Sequence, residues 1–422
     1  MNFSACTKEQ LKEILATEKA RYAEYKAAGL KLDMSRGKPC KEQLDLAMDM
    51  LSTVKDRETC LRSVDYRNYG LVDGIPEMKE IFSELTGVPQ DQLIVTNNAS
   101  LNIMYDTLQR GLQFGVDGCE PQNAQGKIKW LCPAPGYDRH FAITELFGIE
   151  MITVKMTPDG PDMDEVERLV ENDAAIKGIW CVPKYSNPEG VVYSDETVRR
   201  MANLKPAAKD FRIYWDNAYM IHYITEDVPL LNIIDECEKA GNPDMVYMFG
   251  STSKISFAGA GVAFVASSKK NIEWMKKLTG IQTIGPDKIT QLQHALFFKN
   301  AEGVKAHMAK HAAILRPKFE KVLEILEEEL GGTGIAEWLT PKGGYFVSCD
   351  LMYGTAKTII GMCKDAGVVF TAAGSTYPYK KDPNDSNVRI APSLPPIDEL
   401  EKAMRVFCCA AKVAAAEKLL AE

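Results

Sequence analysis

The chain has 422 residues, of which 45% are hydrophobic and 26% charged, and a formal net charge of −8. That length exceeds one compact core and predicts a large domain with a smaller partner. The acidic balance argues against a nucleic-acid or anionic-membrane partner, because both need a basic face. The 11 cysteines are odd in number, show no CxxC spacing and read as small apolar residues of a reducing compartment. No apolar run reaches membrane-span length, and the N-terminus lacks a basic-then-apolar leader, so a cytoplasmic protein is expected.

Thr7-Lys8-Glu9-Gln10 reads as a capping box opening a helix that runs past Tyr22 and Tyr25 and stops at Gly29. A loop, Leu32 to Pro39, follows and concentrates positive charge at Arg36 and Lys38. A second loop, Tyr66 to Pro76, carries two tyrosines and two glycines and reads as a fixed surface. Seven apolar, strand-like runs then alternate for the most part with helical patterns: Leu93–Thr96, Ile128–Cys132, Met151–Val154, Ile176–Val182, Ile213–Trp215, Val246–Phe249 and Val262–Val265. This alternation predicts an α/β fold, a seven-stranded mostly parallel sheet covered by helices on both faces. A single long helix is expected over Ala301–Leu330, with at most a kink near Arg316-Pro317. The remainder reads as a small α+β unit with strands near Gly343–Val347, Val368–Phe370 and Val388–Ile390 and a final helix from Pro396. The expected organisation is an N-terminal segment (1–50) packing with the small domain, a large domain (51–305) and a small domain (306–422). His307 and His311, four apart on the long helix, read as ordinary helix residues without a third metal ligand. Trp180 and Trp215 read as core. The run Glu327-Glu328-Glu329 reads as a solvated face.

Ligands of such sheets bind at the carboxyl ends of the strands, and the unusual motifs all fall there. Asn97-Asn98-Ala99-Ser100 opens a helix, where free N–H groups suit an anion; it also reads as an ordinary cap. Pro133-Ala134-Pro135-Gly136-Tyr137 is a stiff loop ending in a flat ring. Asn187-Pro188-Glu189-Gly190 is a turn. Asp216-Asn217-Ala218-Tyr219 puts a carboxylate at the end of a buried strand, which is costly without a partner. Ser251-Thr252-Ser253-Lys254 sets one lysine among small hydroxyls, either a solvated loop lysine or an amine poised to form a Schiff base with pyridoxal phosphate.

In this order the motifs, with Tyr69-Gly70, Gly74, Gly343-Gly344 and Asn387-Val388-Arg389, resemble the class I aminotransferases among fold-type-I pyridoxal-phosphate enzymes, over essentially the whole chain. The resemblance implies pyridoxal 5'-phosphate held by Lys254, with Asp216 on the ring nitrogen, Tyr219 and Asn187 on the ring hydroxyl, and Tyr137 stacked on the ring. Ala99, Ser100, Ser251 and Ser253 are implied for the phosphate. Arg389, Gly37 and Asn187 are implied for the substrate carboxylate, and no metal is implied. Tyr69 resembles the tyrosine that reaches a neighbouring subunit's phosphate, which implies a homodimer with shared sites.

The family places an arginine against the phosphate after the lysine; here Gly261 stands in that position, marking an atypical branch. Lys288, in a loop the family presents to its neighbour, is the candidate replacement charge; it also reads as a surface lysine. Arg36 or Arg139 is the candidate for a distal carboxylate, which favours aspartate or glutamate with the matching 2-oxo acids. A neutral donor, or a decarboxylase or β-lyase on the same scaffold, stays open. A DNA-binding regulator is disfavoured because the body begins within the first helix.

Overall fold

The computed structural model describes residues 2–116 and 118–422. Helix α1 (Lys8–Ala27) starts on the expected capping box, the Thr7 hydroxyl accepting from Gln10 N–H and the Gln10 side chain from Thr7 N–H. The chain then forms β1 (Leu32–Asp33), β2 (Leu93–Thr96) and helix α2 (Ser100–Phe114). Next come β3 (Lys129–Ala134), helix α3 (Asp138–Leu146), β4 (Glu150–Thr157), β5 (Gly160–Pro161), β6 (Ile176–Cys181), β7 (Arg212–Asp216), β8 (Val246–Ser251) and β9 (Ala263–Ala266). Helices α4 (Lys288–Phe298) and α5 (Ala301–Leu330) lead to β10 (Ala336–Trp338), β11 (Val347–Leu351), β12 (Val368–Val369), β13 (Asn387–Ile390) and helix α6 (Ile397–Ala421).

The large sheet has eight strands in the order β2-β9-β8-β7-β6-β3-β4-β5. All seven expected strands are present. The eighth, Gly160–Pro161, is too short to show a period and pairs antiparallel to β4 through a tight turn. The run β8-β7-β6-β3-β4 is parallel, and β9 runs antiparallel to both its neighbours. Tyr214, Tyr247 and Phe249 pack on one face of the sheet, Trp215, Val246 and Met248 on the other. Burial on both faces explains why these strands read as unbroken apolar runs.

A second sheet, β10-β11-β13, is antiparallel and packs with α5 and α6 around a separate apolar cluster. The strand expected at Gly343–Val347 lies further on, at Val347–Leu351, because Gly344 takes a left-handed φ of 85° that a strand cannot hold. Helix α5 is continuous through Pro317. Helix α1 packs on α6, and β1 pairs in parallel with β12, which carries the Arg36-Gly37 loop to β13.

Glu329 corrects one expectation. Only Glu327 and Glu328 are exposed. The Glu329 side chain is buried at the junction of α1, α5 and α6, where it accepts a two-pronged bond from Arg21 (2.6 and 2.9 Å) and bonds from Arg405 and Lys412. The Arg21 bond, foremost, pulls its carboxyl down to about 2, against the opposing effect of burial. Because the folded value is depressed, this stabilisation is present above the unfolded carboxyl's range near pH 4.5 and is lost as pH falls towards 2. Glu329→Ala leaves three cations without their shared partner and is expected to cost about 3 kcal/mol in denaturant unfolding, whereas Glu328→Ala should change little.

Candidate active site

The site is built where β7 and β8 end. Asp216 is the last residue of β7 and is 2% exposed. Its Oδ2 lies 3.0 Å from His140 Nε2, and its Oδ1 is buried with no hydrogen-bond partner. His140 is fixed on α3 by stacking on Trp180, at 4.4 Å between centroids and 11° between planes. The Trp180 indole N–H donates to the Thr144 hydroxyl, which donates in turn to the His140 carbonyl. Tyr137, immediately before α3, meets His140 edge-on at 4.9 Å.

Lys254 follows β8 in a turn in which the Thr252 carbonyl accepts from both Ile255 and Ser256 N–H. Its Nζ sits 5.0 Å from the centroid of the buried Tyr219 ring. Burial lowers the amine's affinity for a proton and Asp216 partly opposes this, so the neutral, nucleophilic form is favoured relative to a free lysine. Burial raises Tyr219 well above the ordinary tyrosine value, which keeps its phenol a hydrogen-bond donor.

The first turn of α2 points at the same place. Its cap residue, Ala99, offers no side-chain acceptor, so the leading N–H groups stay open beside Ser100. Ser251 and Ser253 hydroxyls lie 3.0 Å apart, and Ser253 donates to the Asn98 carbonyl. A Cβ on Gly261 would stand 2.6 Å from that carbonyl, so no side chain of any kind fits there. The expected arginine is sterically excluded, not merely replaced.

Arg389, on β13, closes the other side. It donates to Asp138 Oδ1 (2.8 Å) and to Asn187 Oδ1 (3.2 Å), lies 4.8 Å from the Phe346 ring centroid, and keeps its Nε buried and unpartnered. Gly37 abuts Phe346, where a Cβ would fall 2.5 Å from the ring. A cavity of about 480 Å³ lies behind Gly261, but the chemistry is gathered in a different one of about 380 Å³ that reaches Lys254, Tyr219, Asn187 and Arg389. Arg36, Lys38 and Arg139 line that same cavity, and none of the three forms an ion pair among the described residues.

Two predicted residues lie outside this cleft. Tyr69 is 76% exposed. Lys288 is buried and donates to the Gly70 carbonyl at 3.1 Å, next to Tyr69. Sequence reasoning missed His140, Asp138, Lys38 and Phe346. The first two follow Tyr137 directly, and a histidine three residues on, at the start of a helix, was the available signal.

Pyridoxal phosphate needs a partner for its ring nitrogen, donors for its ring hydroxyl, an amine for its aldehyde and an anion site for its phosphate. The orphaned Asp216 Oδ1, the Asn187–Tyr219 pair, Lys254, and the open α2 terminus with its serines meet these needs, and the residues present fit the group.

The chain matches the aspartate amino-transferase family over residues 6–422. It is 48% identical over 402 residues to an aspartate aminotransferase of Corynebacterium glutamicum, covering 94% of this chain and 93% of that protein. The crystal structure of an aspartate transaminase from Corynebacterium glutamicum superimposes with a TM-score of 0.97 at 45% identity, covering 99% of each chain. The fold is shared more distantly with the alpha-aminoadipate aminotransferase LysN of Thermus thermophilus, complexed with N-(5'-phosphopyridoxyl)-L-leucine, at TM-score 0.75 and 19% identity over 94% of this chain and 95% of that one.

Two outcomes follow from the geometry. Gly261→Ala is expected to weaken retention of pyridoxal phosphate about tenfold in equilibrium dialysis, since its methyl group pushes on the Asn98 main chain. The protein is also expected to be acid-labile. Burial lowers His222, His307, His294 (to about 4) and His311 (to about 3), so below pH 6.5 the unfolded chain takes up protons that the folded chain refuses. Glu189, pushed up to about 8 by burial, works in the opposite direction and offsets about one of the four. Unfolding free energy should therefore fall by roughly 4 kcal/mol per pH unit below pH 6; a flat profile between pH 6 and 5 would contradict this.

Proposed function

We propose, from the premise that the chain belongs to the aspartate amino-transferase family, that it exchanges the amino group of aspartate or glutamate with a 2-oxo acid, using pyridoxal 5'-phosphate. The observation that carries this reading is the shared cavity, in which the Lys254 amine and Arg389 are joined by three further cations, Arg36, Lys38 and Arg139.

The bound cofactor would supply an electron sink for the substrate's α-carbon. The chain's own residues do the rest. Asp216, steadied by His140, would pair through its open oxygen with the ring nitrogen. Tyr219 and Asn187 would hold the ring hydroxyl, and Tyr137 would stack on the ring. Ala99 and Ser100 at the α2 terminus, with Ser251 and Ser253, would hold the phosphate. Lys254 would hold the cofactor through its aldehyde, and its neutral amine would move a proton at the substrate α-carbon. Arg389 would offer its fork to the α-carboxylate, with Asn187 and Gly37 alongside. Arg36 or Arg139 would take a second carboxylate.

The same reading makes the chain a homodimer with shared sites. The exposed Tyr69 would reach the phosphate of the partner, and Lys288, which donates to the Gly70 carbonyl, would supply the missing positive charge across the dimer.

Purified protein is expected to show a visible absorption band that bleaches on adding aspartate, and Lys254→Ala should lack both band and exchange. Among amino donors assayed with 2-oxoglutarate, aspartate or glutamate should exceed alanine and aromatic donors about a hundredfold in kcat/KM. A preference for alanine or aromatic donors would overturn the acidic-substrate reading. Release of carbon dioxide or ammonia in place of exchange would assign decarboxylation or elimination instead.

A further inference from the structure

The chain has five histidines, and all of them are buried around the lysine and aspartate just described. His140 serves Asp216. Three of the others hold the main chain on either side of Lys254.

His294, on α4, turns Nδ1 to the Thr290 carbonyl at 2.7 Å. A carbonyl can only accept, so Nδ1 carries the proton and Nε2 is an open lone pair. That lone pair faces the Ser256 hydroxyl at 2.7 Å and the Thr252 hydroxyl at 3.0 Å. The Thr252 oxygen also receives Val262 N–H at 2.9 Å. One imidazole thus ties together the residues two before and two after the lysine.

His307, on α5, takes the carbonyl between them, with His311 one turn on packed against it. His307 Nε2 lies 2.9 Å from the Ile255 carbonyl and must donate to it. The tautomer of His311 follows from Gln43. Cys40 N–H donates to Gln43 Oε1, which fixes the amide, so Gln43 Nε2 donates to both Tyr345 Oη and His311 Nδ1. His311 therefore carries its proton on Nε2, which lies 3.1 Å from His307 Nε2, and its ring stands 4.8 Å from the His307 ring between centroids. Burial favours the neutral form of both rings.

We propose that His294 and the His307–His311 pair are positioning residues for Lys254, clamping residues 252, 255 and 256 so that the lysine moves only through its side chain. The proposal rests on the cofactor reading above. A lysine that leaves the cofactor and returns to it on every turnover needs a fixed pivot, because an error of about 1 Å at the amine costs about a hundredfold in rate. Neutral rings suit this role, since a protonated imidazole beside Lys254 would repel its ammonium form and could not accept from Ser256.

The test uses holoenzyme of wild type, His307→Leu, His307→Gln and Ser256→Ala, with cofactor content and thermal unfolding recorded for each. His307→Leu should shift the titration midpoint of the lysine-dependent absorption band by about one pH unit. Its kcat should fall about tenfold or more, with KM for aspartate changed less than about threefold. His307→Gln, whose amide N–H can replace Nε2–H, should recover midpoint and kcat to within about threefold of wild type. Ser256→Ala, which removes one atom from the His294 clamp and keeps the core filled, should shift the midpoint in the same direction even where the leucine variant does not fold. A folded, cofactor-loaded His307→Leu or Ser256→Ala with wild-type midpoint and kcat overturns the proposal. So does equal loss in the glutamine and leucine variants. A wild-type protein without a lysine-dependent band overturns the cofactor reading, and this proposal with it.

Discussion

The structure depends on one carboxylate that water does not reach. Asp216 closes a strand flanked on both faces by aromatic and aliphatic side chains, and removing a charge from water at such a place costs several kcal/mol unless partners replace the lost hydration. One oxygen is met by His140, and a closed chain of bonds and stacking through Trp180 and Thr144 keeps that ring from turning away. The other oxygen has no hydrogen-bond partner among the described residues. A fold that maintains an incomplete ion at its centre is complementary to a ligand bearing the missing N–H, and the lysine, the tyrosine and the open helix end are arranged around that gap.

Charge is sorted across the cleft. The interior side holds the buried Asp216 among hydroxyls and imidazoles, and the four cations Arg36, Lys38, Arg139 and Arg389 line the other side. Arg389 pairs there with Asp138, on the same short helix as His140. Residues 138 to 140 therefore connect both halves of the site, one contacting Arg389 and one the buried aspartate. The loop carrying Arg36 and Gly37 joins this arrangement through β1, which pairs with β12, and through α1, which is anchored at Glu329.

The large sheet was legible in the sequence because its strands are buried on both faces and separated by helices, so each appears as a bounded apolar run. Lys254, Asp216 and Tyr219 were legible through their positions at or just after strand ends, and Arg389 through the family resemblance alone. Partnerships between distant segments were not. Nothing local in Glu329 distinguishes it from Glu327 and Glu328; its burial depends on Arg21, 308 residues away in sequence, and on Lys412, 83 away. His307 and His311 look like ordinary helix residues until α5 is laid against the lysine turn, where the Ile255 carbonyl gives His307 an acceptor and His311 packs behind it. Tyr69 and Lys288 were recognisable only by resemblance, since each lies away from its own chain's cleft.

Gly261 has a consequence for how the two loops can be altered. With the Asn98 carbonyl 2.6 Å from where a Cβ would sit, the loop before α2 and the loop after Lys254 interlock. A larger side chain at this position requires the Asn97-Asn98 main chain to move with it, so the two loops are bound to change together and neither can be redesigned as a separate piece.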